Sequence, residues 1–191
     1  MKHDDVIIRR EKASTRLRFR SRCSLAPWGG CLALALLLTG CGTNQFEREV
    51  ETEAAAIKLV DETLKGQYPL ISTEELRGLI SSGNEFVLVD AMPATASYDE
   101  AHIEGAVNFE FPKEVLDTWD DDAIVGGSKA DYEKLLGDDK DRQIVVYCGF
   151  VKCARSHNAA IFAQELGFTN VYRYPGGIYA WKGASHPLTT K

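Results

Sequence analysis

From Tyr68 onward, short apolar runs alternate with stretches of helical spacing. Tyr68-Pro69-Leu70-Ile71 is brief and apolar, and Ser72 with Glu75 forms a capping-box signature that opens a helix through about Ser81. Phe86-Val87-Leu88-Val89 is a continuous apolar run, the pattern of a strand buried on both faces. Ala106-Val107-Asn108-Phe109 and Ile144-Val145-Val146-Tyr147 read as further strands. A helix is predicted from about Arg155 to Leu166, its apolar face set by Ala159, Phe162, Ala163 and Leu166 and its end by Gly167. Asn170 to Tyr174 completes the series. This alternation predicts one α/β domain over residues 67–191, with about five strands in a mainly parallel sheet and helices on both faces. Residues 113–141 break the rhythm with Trp119-Asp120-Asp121-Asp122, Gly126-Gly127 and a short helix near Asp131 to Leu136. The acidic run reads either as a solvated loop or as a rim element that contacts a partner.

Upstream of that domain the pattern changes twice. Residues 42–66 are polar and helix-prone, with Ala54, Ala55 and Ala56 in the middle and no Pro or Gly between Thr43 and Leu64. They form either a spacer or stalk over 41–66, or a helix packed on the domain. Residues 9–22 are basic, and the apolar run Cys31 to Leu38 ends in Leu38-Thr39-Gly40-Cys41. A charged segment, a short apolar core and small residues describe a secretory signal over residues 1–40. A membrane span needs ~20 apolar residues, well beyond what Pro27 to Leu38 offers.

The string LLLTGC resembles the lipobox of bacterial lipoproteins. That resemblance implies cleavage before Cys41, lipidation of Cys41, and a protein held to a membrane by acyl chains alone. Gly42, in place of an inner-membrane Asp, favours the outer membrane at its periplasmic face, or the cell surface. Cys23 and Cys31 would leave with the signal, so Cys148 and Cys153 would remain as the two thiols.

The chain has 191 residues, 45% hydrophobic and 26% charged, room for one globular domain. Residues 41–191 carry 14 basic and 25 acidic residues, a formal net of −11. So acidic a domain is a poor partner for nucleic acid, whose phosphates require basic patches.

The chemistry concentrates in Tyr147-Cys148-Gly149-Phe150-Val151-Lys152-Cys153-Ala154-Arg155-Ser156-His157. Cys148 ends a buried strand, the edge of an open α/β sheet where ligands bind. The following loop runs into a helix N-terminus and aims backbone N–H groups at one spot, an anion site. A thiol there is expected below its free value of ~8.5, with Lys152 and Arg155 adding positive charge.

The string IVVYC, a loop, RS, and LGFTNVYRYPGGIYAW resemble the second half of a rhodanese-like domain; VLVDAMP and YDEAHIEGAVNFEFP resemble its first half. The likeness spans about Tyr68 to Ala184. It implies a sulfurtransferase whose cysteine, at the position of Cys148, takes sulfane sulfur from a small anionic donor such as thiosulfate or polysulfide. A persulfide then passes the sulfur to a thiol or protein acceptor, with no cofactor. The loop Gly149, Phe150, Val151, Lys152, Cys153, Ala154, Arg155, Ser156 would bind the substrate and stabilise the persulfide anion.

The sequence departs from that family at two places. Six residues separate Cys148 from Arg155 where the common single-domain loop has four, which implies a differently shaped pocket. Asp90-Ala91-Met92 replaces a frequent Asp-x-Arg, with Asp90 expected to brace the loop. Cys153 reads either as a small apolar residue or as a resolving thiol. His102 is expected to be structural, and Trp181 to pack under the loop. Cys148, Cys153 and His157 make only three ligands where structural zinc takes four, so no metal is expected. A persulfide carrier, or a thiol–disulfide protein using both cysteines, is the alternative function.

Overall fold

The computed structural model describes residues 44–191. The signal segment and Cys41 lie outside the described residues. Helix α1 (Gln45–Gly66) is started by the Asn44 side chain, which accepts from the Phe46 N–H, and is stopped by Gln67 in the left-handed conformation. Its N-terminal half is solvent-exposed, whereas Glu62 and Gly66 in the last turns are buried. The helix packs on the domain through helix α4 (Arg155–Glu165).

Helix α2 (Thr73–Ser82) begins with the expected capping box, Ser72 and Glu75 bonding each other's backbone N–H. Strands β1 (Val87–Asp90), β3 (Ala106–Asn108), β4 (Ile144–Tyr147) and β5 (Val171–Tyr174) form one parallel sheet in the order β3-β1-β4-β5. The expected first strand shrinks to a single parallel bridge of Leu70 with Arg173 at the β5 edge. Pro69 accepts from the Arg173 N–H but has no N–H to give, and Ser72 already turns the chain into α2. Short strands β2 (His102–Ile103) and β6 (Leu188–Thr189) make a separate antiparallel pair.

The strands are buried on both faces, as a parallel sheet with helices above and below requires. Val87, Val89, Ile144, Val146 and Val171 face α3 (Lys129–Leu136) and α4 (Arg155–Glu165). Leu88, Val145 and Tyr147 face Leu76 of α2 and Ile178 and Trp181 of α5 (Gly177–Gly183). The irregular stretch after β3 is anchored by Trp119, whose ring joins Phe109, Phe111, Tyr132 and Phe162 in one aromatic cluster. Asp120, Asp121 and Asp122 beside it are exposed. Among the described residues no helix is long and apolar enough to cross a membrane.

Candidate active site

Cys148 is the residue after β4, at the carboxyl edge of the sheet, and α4 begins at Arg155. The start of the intervening loop is held from the C-terminal side. Ile178 N–H donates to the Cys148 carbonyl at 2.9 Å and Tyr179 N–H to the Gly149 carbonyl at 3.0 Å. Gly177 makes this approach possible: its φ is +58°, and a Cβ there would lie 2.3 Å from the Cys148 carbonyl oxygen. Trp181 does not underlie the loop, as the sequence suggested. It packs in the core on the α2/α5 face, three residues beyond the Ile178 N–H that holds the loop, its Nε1–H donating to the Pro187 carbonyl.

The Cys148 thiol is completely buried. It donates to the Cys153 carbonyl at 3.2 Å and meets the Ser156 hydroxyl at 3.2 Å. The Ser156 oxygen accepts from Arg173 Nε at 2.9 Å, which leaves the Ser156 proton free for the Cys148 sulfur. Arg173, fully buried on β5, also donates from Nη2 to the Cys153 carbonyl at 3.0 Å. Its Nη1 donates to the Glu62 carboxylate at 2.6 Å and to Tyr68 Oη at 2.9 Å. One buried guanidinium therefore braces both groups that touch Cys148 and ties them to the last turns of α1.

With Tyr68 Oη accepting from Arg173, its own proton points to His157 Nδ1 at 2.7 Å. His157 is thereby fixed as the neutral tautomer protonated on Nε2, and burial holds its pKa down to about 4. Burial pushes the Glu62 carboxyl up, but hydrogen bonds from Lys58 and Arg173 outweigh it and leave the group below its ordinary value.

The two cysteines are neighbours, the Cys148 S–H being held by the Cys153 backbone carbonyl. Their titration reverses the expectation from sequence. Burial first, and the neighbouring Cys153 second, push the Cys148 thiol well above its ordinary value. Cys153 is only half-buried and is lowered to about 6. The Cys148 hydrogen bond is the largest cause, followed by backbone N–H donors of Arg155 and Gly149 and the Arg155 charge, all against the penalty of burial. The loop's N–H groups are divided: those of Arg155 and Gly149 favour the Cys153 anion and that of Ser156 favours the Cys148 anion, where burial outweighs it.

The remaining loop residues have separate tasks. Arg155 bonds the Phe111 carbonyl and lies 3.9 Å from Glu110, so it clamps the segment after β3 while its field reaches Cys153. Lys152 is exposed and, with Val151, lines a cleft against Leu59 and other α1 residues, away from Cys148. Phe150 and Tyr179 are both exposed, ring centroids 5.5 Å apart, and form an aromatic rim. Gly149 and Ala154 are buried, and Gly149 packs against Met92. Asp90 holds the Met92 N–H at 2.9 Å, and burial pushes its carboxyl up against the pull of the Tyr147 hydroxyl. His102 bonds the Tyr98 carbonyl at 2.8 Å and stacks on the Tyr98 ring.

Sequence reading overlooked Arg173, Glu62 and Tyr68. The available signal was Arg173 itself, a charge at the same inward register as Val171 in an otherwise apolar strand.

The rhodanese-like domain family model matches residues 72–184, more than half of the chain, and the protein belongs to that family. The family is of sulfurtransferase type. Glu62 and Tyr68 lie ahead of the matched residues. The fold is similar to that of the BH2092 protein from Bacillus halodurans, at 21% identity and a TM-score of 0.51, over 77% of this chain and 87% of that one. It is also similar to a thiosulfate sulfurtransferase from Pseudomonas aeruginosa, at 19% identity and a TM-score of 0.50, over 71% of this chain and 22% of that one. The rhodanese-like domain of the Alr3790 protein from Anabaena sp. matches at 22% identity and a TM-score of 0.47, over 64% and 80% of the two chains. No curated protein matches the chain.

Proposed function

We propose that this protein is a sulfurtransferase that takes sulfane sulfur from a small anionic donor, thiosulfate or polysulfide, and holds it as a persulfide on Cys148. A thiol, free or on a protein, is the acceptor. The observation that carries this reading is a thiol at the carboxyl end of β4, in contact with the Ser156 hydroxyl and above the buried Arg173 charge. A persulfide anion there finds donors already in place. Intact mass spectrometry of the reduced chain after incubation with thiosulfate or polysulfide is the test. The expected result is a gain of one or more sulfur atoms that disappears in the double variant Cys148→Ser/Cys153→Ser. Loss of two hydrogens with no sulfur gained would replace the reading with thiol–disulfide chemistry between Cys148 and Cys153.

The LLLTGC string supports a second element of the proposal, an exported protein anchored through a lipidated Cys41. Mature protein from a bacterial membrane fraction would then begin at Cys41 and carry the mass of acyl chains.

A further inference from the structure

We infer that Glu62 is a positioning residue of the sulfur site, and that α1 is therefore part of that site. Glu62 sets the plane of the Arg173 guanidinium, and the guanidinium aims the Ser156 hydroxyl at the Cys148 sulfur. The inference rests on the sulfurtransferase reading above and assigns what holds the sulfur anion in place. Glu62 and Tyr68 lie ahead of residues 72–184, so this brace comes from outside the part of the chain that matches the family.

A guanidinium is a rigid, planar fork of N–H donors, so fixing one of its nitrogens fixes the directions of the others. Nη1 of Arg173 is held by the Glu62 carboxylate at 2.6 Å and by Tyr68 Oη at 2.9 Å. Nε and Nη2 then meet Ser156 Oγ at 2.9 Å and the Cys153 carbonyl at 3.0 Å. With Ser156 Oγ occupied as an acceptor, its proton is directed at the Cys148 sulfur, 3.2 Å away. The side chains of Arg173 and Glu62 are 0% and 7% exposed, so water does not substitute for either partner. Without Glu62 the buried guanidinium would lose its anionic partner and turn toward another acceptor. Glu62 is itself held by Lys58, so two cations share one carboxylate, and a sulfur anion on Cys148 balances the excess positive charge. Loading from thiosulfate forms one S–S bond at Cys148 and breaks the bond to the sulfonate sulfur. Sulfite leaves with the electron pair and takes the Cys148 proton, which leaves the persulfide as an anion facing Ser156.

The full chain, Glu62→Ala, Glu62→Gln, Ser156→Ala and the double variant Glu62→Ala/Ser156→Ala would each be equilibrated with mixtures of thiosulfate and sulfite, alkylated, digested and mapped by mass spectrometry. Trypsin cleavage after Arg142 and Lys152 separates Cys148 from Cys153, so sulfur on Cys148 is read directly. Ser156→Ala should shift the loading equilibrium against the Cys148 persulfide by about tenfold, the loss of one hydrogen bond to an anion. Glu62→Ala should cause a shift of similar size, and Glu62→Gln a smaller one, because the amide oxygen still accepts from Arg173. The double variant should lose no more than either single variant, since Glu62 acts through Ser156. Additive losses would overturn the inference and leave the sulfurtransferase reading intact, as would an unchanged equilibrium in Glu62→Ala. Should Glu62→Ala not fold, Glu62→Gln combined with Ser156→Ala completes the same cycle. Failure of the unaltered chain to load from thiosulfate and from polysulfide would instead overturn the sulfurtransferase reading. Alkylation then tests the brace without sulfur. Iodoacetamide should label half-buried Cys153 faster than enclosed Cys148 in the unaltered chain, and Glu62→Ala should narrow that difference by freeing Ser156 and the Cys153 carbonyl. An unchanged difference would overturn the brace.

Discussion

On the sheet face covered by α2 and α5, Leu88 and Val145 pack against Leu76, Ile178 and Trp181, with Asp90 and the Tyr147 hydroxyl the polar groups at the strand ends. On the face covered by α1, α3 and α4 the same strands contribute Arg173 and lead into Cys148, and the helices return Ser156, His157 and Glu62. Burial is equally complete on both sides, yet its consequences differ. Apolar side chains gain by leaving water in rough proportion to area and tolerate small shifts. Buried charges and thiols are held only while every partner is in place, so the second face is organised around hydrogen-bond geometry. That geometry is what gives two cysteines five residues apart opposite titration behaviour.

The contrast can be broken most severely at Arg173. Arg173→Ala leaves the buried Glu62 with Lys58 as its remaining partner and unbraces Ser156 and the Cys153 carbonyl, and should destabilise the protein by about 3–5 kcal/mol in urea unfolding. It should also remove the difference in alkylation rate between Cys148 and Cys153, since both of its loop contacts vanish. Leu76→Ala on the opposite face should cost about 2–5 kcal/mol through a cavity. That variant should leave the alkylation difference unchanged, provided it is measured well below its denaturation midpoint; a change there would mean that the two faces are not separable.

His157 sharpens the comparison through pH. Its unfolded value is 6.5 and its folded value about 4, so the unfolded state binds the proton first on acidification. The stability tied to neutral His157 is therefore full above pH 6.5 and is lost as pH falls toward 4, on the order of 2 kcal/mol. Urea unfolding at neutral and mildly acid pH should show this loss in the unaltered chain, and the loss should shrink in His157→Gln. The smallest effect belongs to Ser72→Ala, which removes the cap of α2 and should cost about 1 kcal/mol with no change at either thiol.

Local signals reported the frame of this molecule well. Ser72 with Glu75 marked the start of α2, the runs VLV and IVVY marked strands buried on both faces, and the sheet is the parallel one their burial demanded. The short β2/β6 pair escaped notice because it joins residues far apart in the chain, with no turn signal between them. The segment 68–71 looked like a strand because it is apolar, but Pro69 limits its ladder to one bridge. For residues 42–66 composition left a free stalk and a packed helix equally open; the burial of Glu62 against Arg173 joins the last turns of α1 to the domain.

The site divides along the same line. Sequence by itself determined that Cys148 ends a strand, that a loop leads from it into α4, and that Cys153 lies on that loop, because those features follow from local periodicity and spacing. Which thiol keeps some surface, which one burial pushes up, and which charge lies beneath them depended on Arg173, Glu62 and Gly177, brought together from β5, α1 and α5. A pKa in a protein is set by burial and by charges and donors a few ångströms away, and only the tertiary structure decides what those neighbours are.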